Sequence, residues 1–104
     1  MYEGQWVNSL KHGPGIYTRT NGARYEGEFE EDKSNGQGTF TYVNGNQYVG
    51  EWYNDRKDGA GVYTFKDGNI LKGIWIKGLK NGKFMMKDPE DENFYTVHYI
   101  KDEV

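Results

Sequence analysis

The sequence predicts an all-β protein, a single-layer antiparallel meander of consecutive β-hairpins with about eight strands and essentially no helix. Three observations carry this. A unit of 23 residues recurs without insertion or deletion. Each unit holds a run of strand formers followed by a turn dipeptide. No segment repeats its apolar residues at the helical period.

The repeat is visible row by row. Tyr2, Tyr25, Tyr48 and Leu71 are in phase, followed by Gly4, Gly27, Gly50 and Gly73, then by Trp6, Phe29, Trp52 and Trp75. Gly13, Gly36, Gly59 and Gly82 form the next row; Gly15, Gly38 and Gly61 follow, with Phe84 breaking the pattern. Tyr17, Phe40, Tyr63 and Met86 form another row, and Gly22, Gly45 and Gly68 close the unit.

Residues 15–19, 38–42 and 61–65 are rich in Tyr, Phe, Thr, Val and Ile and read as strands. Asn21-Gly22, Asn44-Gly45 and Asp67-Gly68 are turn signals, and residues 23–29, 46–52 and 69–75 are the return strands. A three-residue loop ending in a left-handed glycine pairs residue 19 with 23. Tyr17 then faces Tyr25, Gly15 faces Gly27, Phe40 faces Tyr48, Gly36 faces Trp52, Tyr63 faces Leu71 and Gly59 faces Trp75. Every apolar row then falls on one face, and a slip of one residue would scatter them. The glycines opposite the indoles read as room for the rings. Glu30–Gly36 and Tyr53–Gly59 read as polar connections to the next hairpin.

Residues 1–87 form the repeat array, in units 2–24, 25–47, 48–70 and a degenerate 71–87, and residues 88–104 form an acidic turn and a capping strand. Phe94–Ile100 carries the strand signal of that cap. The edge at Tyr2–Trp6 opens a repeat and either invites pairing with a second copy, a homodimer through the sheet edge, or marks the place where further repeats would precede it in a longer chain.

Composition narrows the function. The chain has 17 aromatics in 104 residues (Trp 3, Tyr 9, Phe 5), too many for a disordered segment despite a mean hydropathy of -1.00. The 12 Lys and Arg against 10 Asp and Glu of residues 1–87 leave that part near neutral, so no basic stripe for nucleic acid is present. With no cysteine, thiolate zinc sites are excluded. No apolar run reaches membrane-span length, and no signal-peptide core stands at the N-terminus, so the chain reads as cytoplasmic. His12 and His98 are too few and too far apart for a metal site. Gly13-Pro14-Gly15 lacks the lysine and helix of a phosphate loop. No catalytic constellation can be assembled, and no cofactor is expected.

The quoted residues resemble MORN repeats, in which Tyr-Glu-Gly-x-Trp is followed by a polar stretch, Gly-x-Gly-x-Tyr and a turn glycine. Tyr2-Glu3-Gly4-Gln5-Trp6 with Gly13-Pro14-Gly15-Ile16-Tyr17 matches, as do Tyr25–Phe29 with Gly36–Phe40 and Tyr48–Trp52 with Gly59–Tyr63. The fourth unit keeps Gly73, Trp75 and Gly82 but has Leu71 and Phe84 where the pattern has Tyr and Gly. The resemblance implies a non-catalytic scaffold that binds proteins, as in cytoskeletal assemblies and radial-spoke heads. The partner would be a peptide or helix of a cytoskeletal or axonemal protein. It also implies, as an alternative, a module that carries a larger enzyme to acidic phospholipids.

Two sets of residues are candidates for binding. Tyr2, Trp6, Tyr17, Tyr25, Phe29, Phe40, Tyr48, Trp52, Tyr63 and Trp75 line the aromatic face, which a single sheet cannot fully cover. Lys11, Lys33, Arg56, Lys57 and Lys80 read as a basic loop edge for acidic lipid or an acidic partner. Glu26, Glu28, Glu30 and Glu51 read as a solvated opposite face.

Overall fold

Two kinds of turn set the architecture. Asn21-Gly22 and its equivalents close loops in which Gly22, Gly45 and Gly68 adopt φ of 97°, 97° and 99°. The Gly22 N–H donates to the Arg19 carbonyl at 3.0 Å and the Arg19 N–H to the Ala23 carbonyl at 2.8 Å. The second kind is a two-residue turn with both φ positive: Asn8-Ser9, Glu31-Asp32, Asn54-Asp55 and Lys77-Gly78. Such turns match the twist of paired strands, and Asn, Asp and Gly enter the left-handed region at least cost.

The computed structural model describes residues 1–80 and 82–99. The turns join β1 (Tyr2–Val7), β2 (Leu10–Thr18), β3 (Arg24–Glu30), β4 (Lys33–Thr41), β5 (Gln47–Tyr53), β6 (Arg56–Thr64), β7 (Ile70–Ile76), β8 (Leu79–Lys80), β9 (Gly82–Lys87) and β10 (Tyr95–Tyr99). All belong to one antiparallel sheet in sequence order, with β8 and β9 both paired to β7. The all-β meander is as the sequence predicts, with ten strands rather than about eight. The fourth unit contributes two short strands in place of one long one, and β10 adds to the far edge. The end of the expected strand at Ile100 lies outside the described residues.

The expected register holds: Tyr17 pairs with Tyr25, Phe40 with Tyr48, and Tyr63 with Leu71. The polar connections do not hold. Most of Glu30–Gly36 and Tyr53–Gly59 is strand, turned by two residues, so β4 and β6 each run to 9 residues. A bulge hid this from the sequence. Gly50 pairs with Gly61 but Trp52 pairs with Lys57, so three residues of β6 stand opposite Glu51 alone. Gly59 sits in that bulge at φ 111°, and the Ala60 N–H donates to the Glu51 carboxylate at 2.7 Å.

Between the bulges and the turns runs a continuous ladder of facing glycines, Gly4, Gly15, Gly27, Gly38, Gly50, Gly61 and Gly73. The room is taken by tyrosine rings, and Gly36 and Gly59, which the sequence reads as room for the indoles opposite, face the Glu28 and Glu51 side chains instead. The Tyr25 ring lies over Gly27 and Gly38, and the Tyr48 ring over Gly50 and Gly61. Their hydroxyls donate to the carbonyls of Glu28 at 2.9 Å and Glu51 at 3.1 Å.

This explains the two irregular residues of the fourth unit. Leu71 brings no ring to lie on Gly73. Phe84, one strand over, supplies it, and an added Cβ on Gly73 would stand 2.6 Å from the Phe84 ring. The two departures are one exchange, in which the ring reaches the same place from the other strand.

Along the core runs a file of nine rings, from the exposed Trp6 through Tyr2, Phe29, Tyr25, Trp52, Tyr48, Trp75 and Phe84 to Tyr99, each edge-on to the next at 4.8–5.3 Å. Such contacts contribute about 0.5–1.5 kcal/mol each beyond area burial. They replace the second layer that a lone sheet lacks.

Candidate functional site

The aromatic face is both core and surface. Tyr25, Phe29, Phe40, Tyr48, Trp52 and Trp75 are buried, Tyr2, Tyr17 and Tyr63 are half-buried, and Trp6 is exposed. The buried six pack on each other, so a partner can reach few of their atoms. Open aromatic surface is carried by Tyr17 and Tyr63, joined by Tyr42 and Phe65, which the sequence reading did not select. Tyr42 and Phe65 lie in phase with Arg19, and their rings stand 4.7 Å from Phe40 and 4.9 Å from Tyr63. Their spacing was visible, but they fall where the strand enters its turn.

The two-residue turns fold toward the same face and build a wall along it. The N–H groups of Asp32, Asp55 and Gly78 donate to the carbonyls of Lys11, Ser34 and Lys57 at 3.0, 3.1 and 2.8 Å. Each link ties one unit to the next across 21 residues. The Asp55 carboxylate adds two bonds, from the Ser34 N–H at 2.7 Å and from the Ser34 hydroxyl at 2.9 Å. Asp55→Ala is therefore expected to cost about 2 kcal/mol, because the buried Ser34 N–H and hydroxyl both lose the oxygen they donate to; chemical denaturation measures it.

Between this wall and the rings lies a groove with a hollow at each unit. One hollow of about 250 Å³ lies over Ser34, among Tyr25, Phe40, Trp52 and Asp55. Another of about 280 Å³ lies between Tyr42, Tyr63, Trp75 and Lys80, two units on. A third at Phe40, Tyr42 and Trp52 connects them.

The basic residues do not form a loop edge. Lys11, Lys57 and Lys80 are strand residues on the aromatic face. The Lys11 ammonium stands 5.3–6.0 Å from the centres of four rings and pairs with Asp32 at 3.2 Å. Lys57 stands 5.6–5.7 Å from three rings and donates to the Tyr42 hydroxyl at 3.1 Å. Lys80 stands 4.9 Å from the Tyr99 ring. Lys33 sits one strand position from Ser34, so pleating directs it to the opposite face, whereas Arg56, beside its turn, borders the connecting hollow.

The opposite face is also not simply solvated. Glu28 and Glu51 accept from the bulge N–H groups of Gln37 and Ala60 at 3.2 and 2.7 Å. Toward β7 that face becomes apolar, with Val49, Ile74 and Ile76 exposed.

Electrostatics follow burial. The backbone N–H of Lys11, aided by its ammonium, holds the Asp32 carboxyl below its usual range. Burial pushes the Tyr25 and Tyr48 phenols well above the usual value, and the nearby Glu28 and Glu51 carboxylates add to this. Burial also raises Tyr42, which the Arg19 and Lys80 charges partly offset. A phenol in the unfolded chain ionises near pH ~10, whereas the folded phenols keep their protons. Their contribution to stability is therefore intact below that pH and is lost as pH rises through it. Denaturation midpoints are expected to fall steadily above it. Tyrosinate absorbance should show Tyr25 and Tyr48 ionising only as the chain unfolds.

Among the described residues, no group of three or more His, Asp or Glu is placed to hold a metal. A family model for the MORN repeat matches residues 2–24, 25–47, 48–70 and 72–83. No curated protein matches the chain.

Proposed function

The chain belongs to the MORN repeat family, and on that premise we propose that it is a non-catalytic scaffold whose aromatic groove holds a helix or extended segment of a protein partner. One observation carries this reading: the same hollow recurs along one face at each 23-residue step, floored by rings and walled by turns. A periodic groove suits a periodic ligand, and a helix presents side chains at regular intervals along one side. Rigid aromatics at the floor supply contact area with little loss of side-chain entropy. A cytoskeletal or axonemal partner, and a cytoplasmic setting, are what the family resemblance suggests for it. Self-pairing through the β1 or β10 edge is a separate proposal, read from solution mass by light scattering.

The lipid reading needs a basic edge. Lys11, Lys57 and Lys80 lie in the groove instead, so the protein reading is the better supported.

The test is selection from a displayed library of helical and extended peptides. Selected peptides are compared on the native chain and on a Tyr17→Ala, Tyr63→Ala variant, which spares the buried rings. Binders that lose affinity on the variant support the groove. Binders that tolerate it, and shift amide resonances of the opposite face, would overturn the reading.

A further inference from the structure

Lysine, serine, lysine and lysine occupy one row of the repeat at Lys11, Ser34, Lys57 and Lys80. In the first unit the Lys11 ammonium stands over Tyr2, Trp6, Tyr17 and Phe29, at 5.7, 6.0, 5.3 and 5.9 Å, and pairs with Asp32. One unit on, the equivalent residues are Tyr25, Phe29, Phe40 and Trp52, all aromatic, with Asp55 in the place of Asp32. The rings and the carboxylate are kept, while the lysine is not.

Ser34 is too short to fill the space. It is 6% exposed, and its hydroxyl donates to Asp55 at 2.9 Å, the role the Lys11 ammonium has on Asp32. Above it is the hollow of about 250 Å³, room for one long side chain. Two cations flank it. Lys11 is tied to Asp32, and Arg19, exposed at the rim, stands 5.1 Å from the Phe40 ring centre. Against them stand the Asp32 and Asp55 carboxylates, so the walls are balanced in charge.

We propose that this hollow receives the ammonium group of a lysine side chain from the protein partner, among Tyr25, Phe40 and Trp52 and beside Asp55. It rests on the groove being the partner surface. The partner would supply at the second unit the group that Lys11 supplies at the first. Aromatic faces attract ammonium groups through their quadrupoles, more strongly as water is removed. An incoming helix would remove that water.

The test uses a small probe and needs no partner. The Trp52 indole N–H resonance is followed while Nα-acetyl-lysine methylamide is added, with the norleucine analogue as the uncharged control. The lysine compound is expected to saturate, with an affinity about fivefold tighter than norleucine. Ser34→Lys, which gives the second unit its own lysine, is expected to weaken the probe about tenfold or more, because the site is then filled. Its thermal melt establishes folding. Phe40→Leu keeps apolar bulk but removes one ring, and should cut the preference for lysine over norleucine by about half; it decides the matter if Ser34→Lys fails to fold.

No saturable shift with lysine, equal affinity for norleucine, or undiminished binding by folded Ser34→Lys overturns the proposal. So does tighter binding of phosphocholine, which would assign the hollow to a lipid headgroup. Failure here leaves the peptide selection standing as a separate result, and failure of that selection leaves this titration standing.

Discussion

Gly50→Val is expected to lower the unfolding free energy by on the order of 3 kcal/mol. A Cβ at this position would stand 2.6 Å from the Ala60 carbonyl oxygen, 2.6 Å from the Gly61 Cα and 2.8 Å from the Tyr48 hydroxyl. Two of these are backbone atoms in a paired strand and cannot withdraw without breaking the ladder. The third belongs to a ring whose hydroxyl is held by the Glu51 carbonyl. Glu51→Ala, one residue on, is expected to cost about 1 kcal/mol through the lost bond to the Ala60 N–H. From sequence alone the Glu51 change reads as nearly neutral, since the residue reads as solvated; the bulge changes that. Urea denaturation of both variants measures the contrast, and equal midpoints would refute the glycine ladder as the place where the sheet is tightest.

Trp75→Ala should cost about 4 kcal/mol, and Trp6→Ala less than about 1 kcal/mol. The two residues occupy the same row of the repeat. Trp75 is 2% exposed, wedged between Tyr48 at 5.0 Å and Phe84 at 4.8 Å. Trp6 is 55% exposed and has one ring neighbour among the described residues, Tyr2, edge to face at 4.9 Å. Each unit leans on the next, so a ring at the β1 end has a neighbour on one side and an interior ring has two. Removing Trp75 opens a cavity between rings that are themselves held, and such a site closes poorly. Chemical denaturation, followed by circular dichroism, separates the two. Losses of the same size would mean that the ring file is not what stabilises the array.

The repeat period, the hairpin register and the aromatic face were all legible in the rows of the sequence. Apolar side chains at a period of two admit one register when they must share a face, and a turn glycine anchors the count. Three features were not legible. The second turn, Asn54-Asp55 and its equivalents, was hidden because Gly59 interrupts the alternation. The bulge it forms makes half of a long strand look like a polar loop. The exchange of Leu71 and Phe84 was hidden because each looks like an error until the two strands are seen side by side. The placement of Lys11 and Lys57 on the aromatic face was hidden because the stretches that hold them read as loops, and side chains alternate between faces only along a strand.

The candidate site shows the same division. The sequence by itself determined that one face would be aromatic, since the rows and the register follow from periodicity and turn chemistry, which are local. Only the tertiary structure decided which of those rings form the core and which stay open. That outcome depends on contacts between units: edge-to-face packing buries Trp52 and Trp75, while the wall of turns leaves a groove over Tyr17, Tyr42 and Tyr63. It also decided that Lys11 and Lys57 lie among rings instead of on a loop edge, because an ammonium group follows the face of its strand, and the turns of neighbouring units close around it.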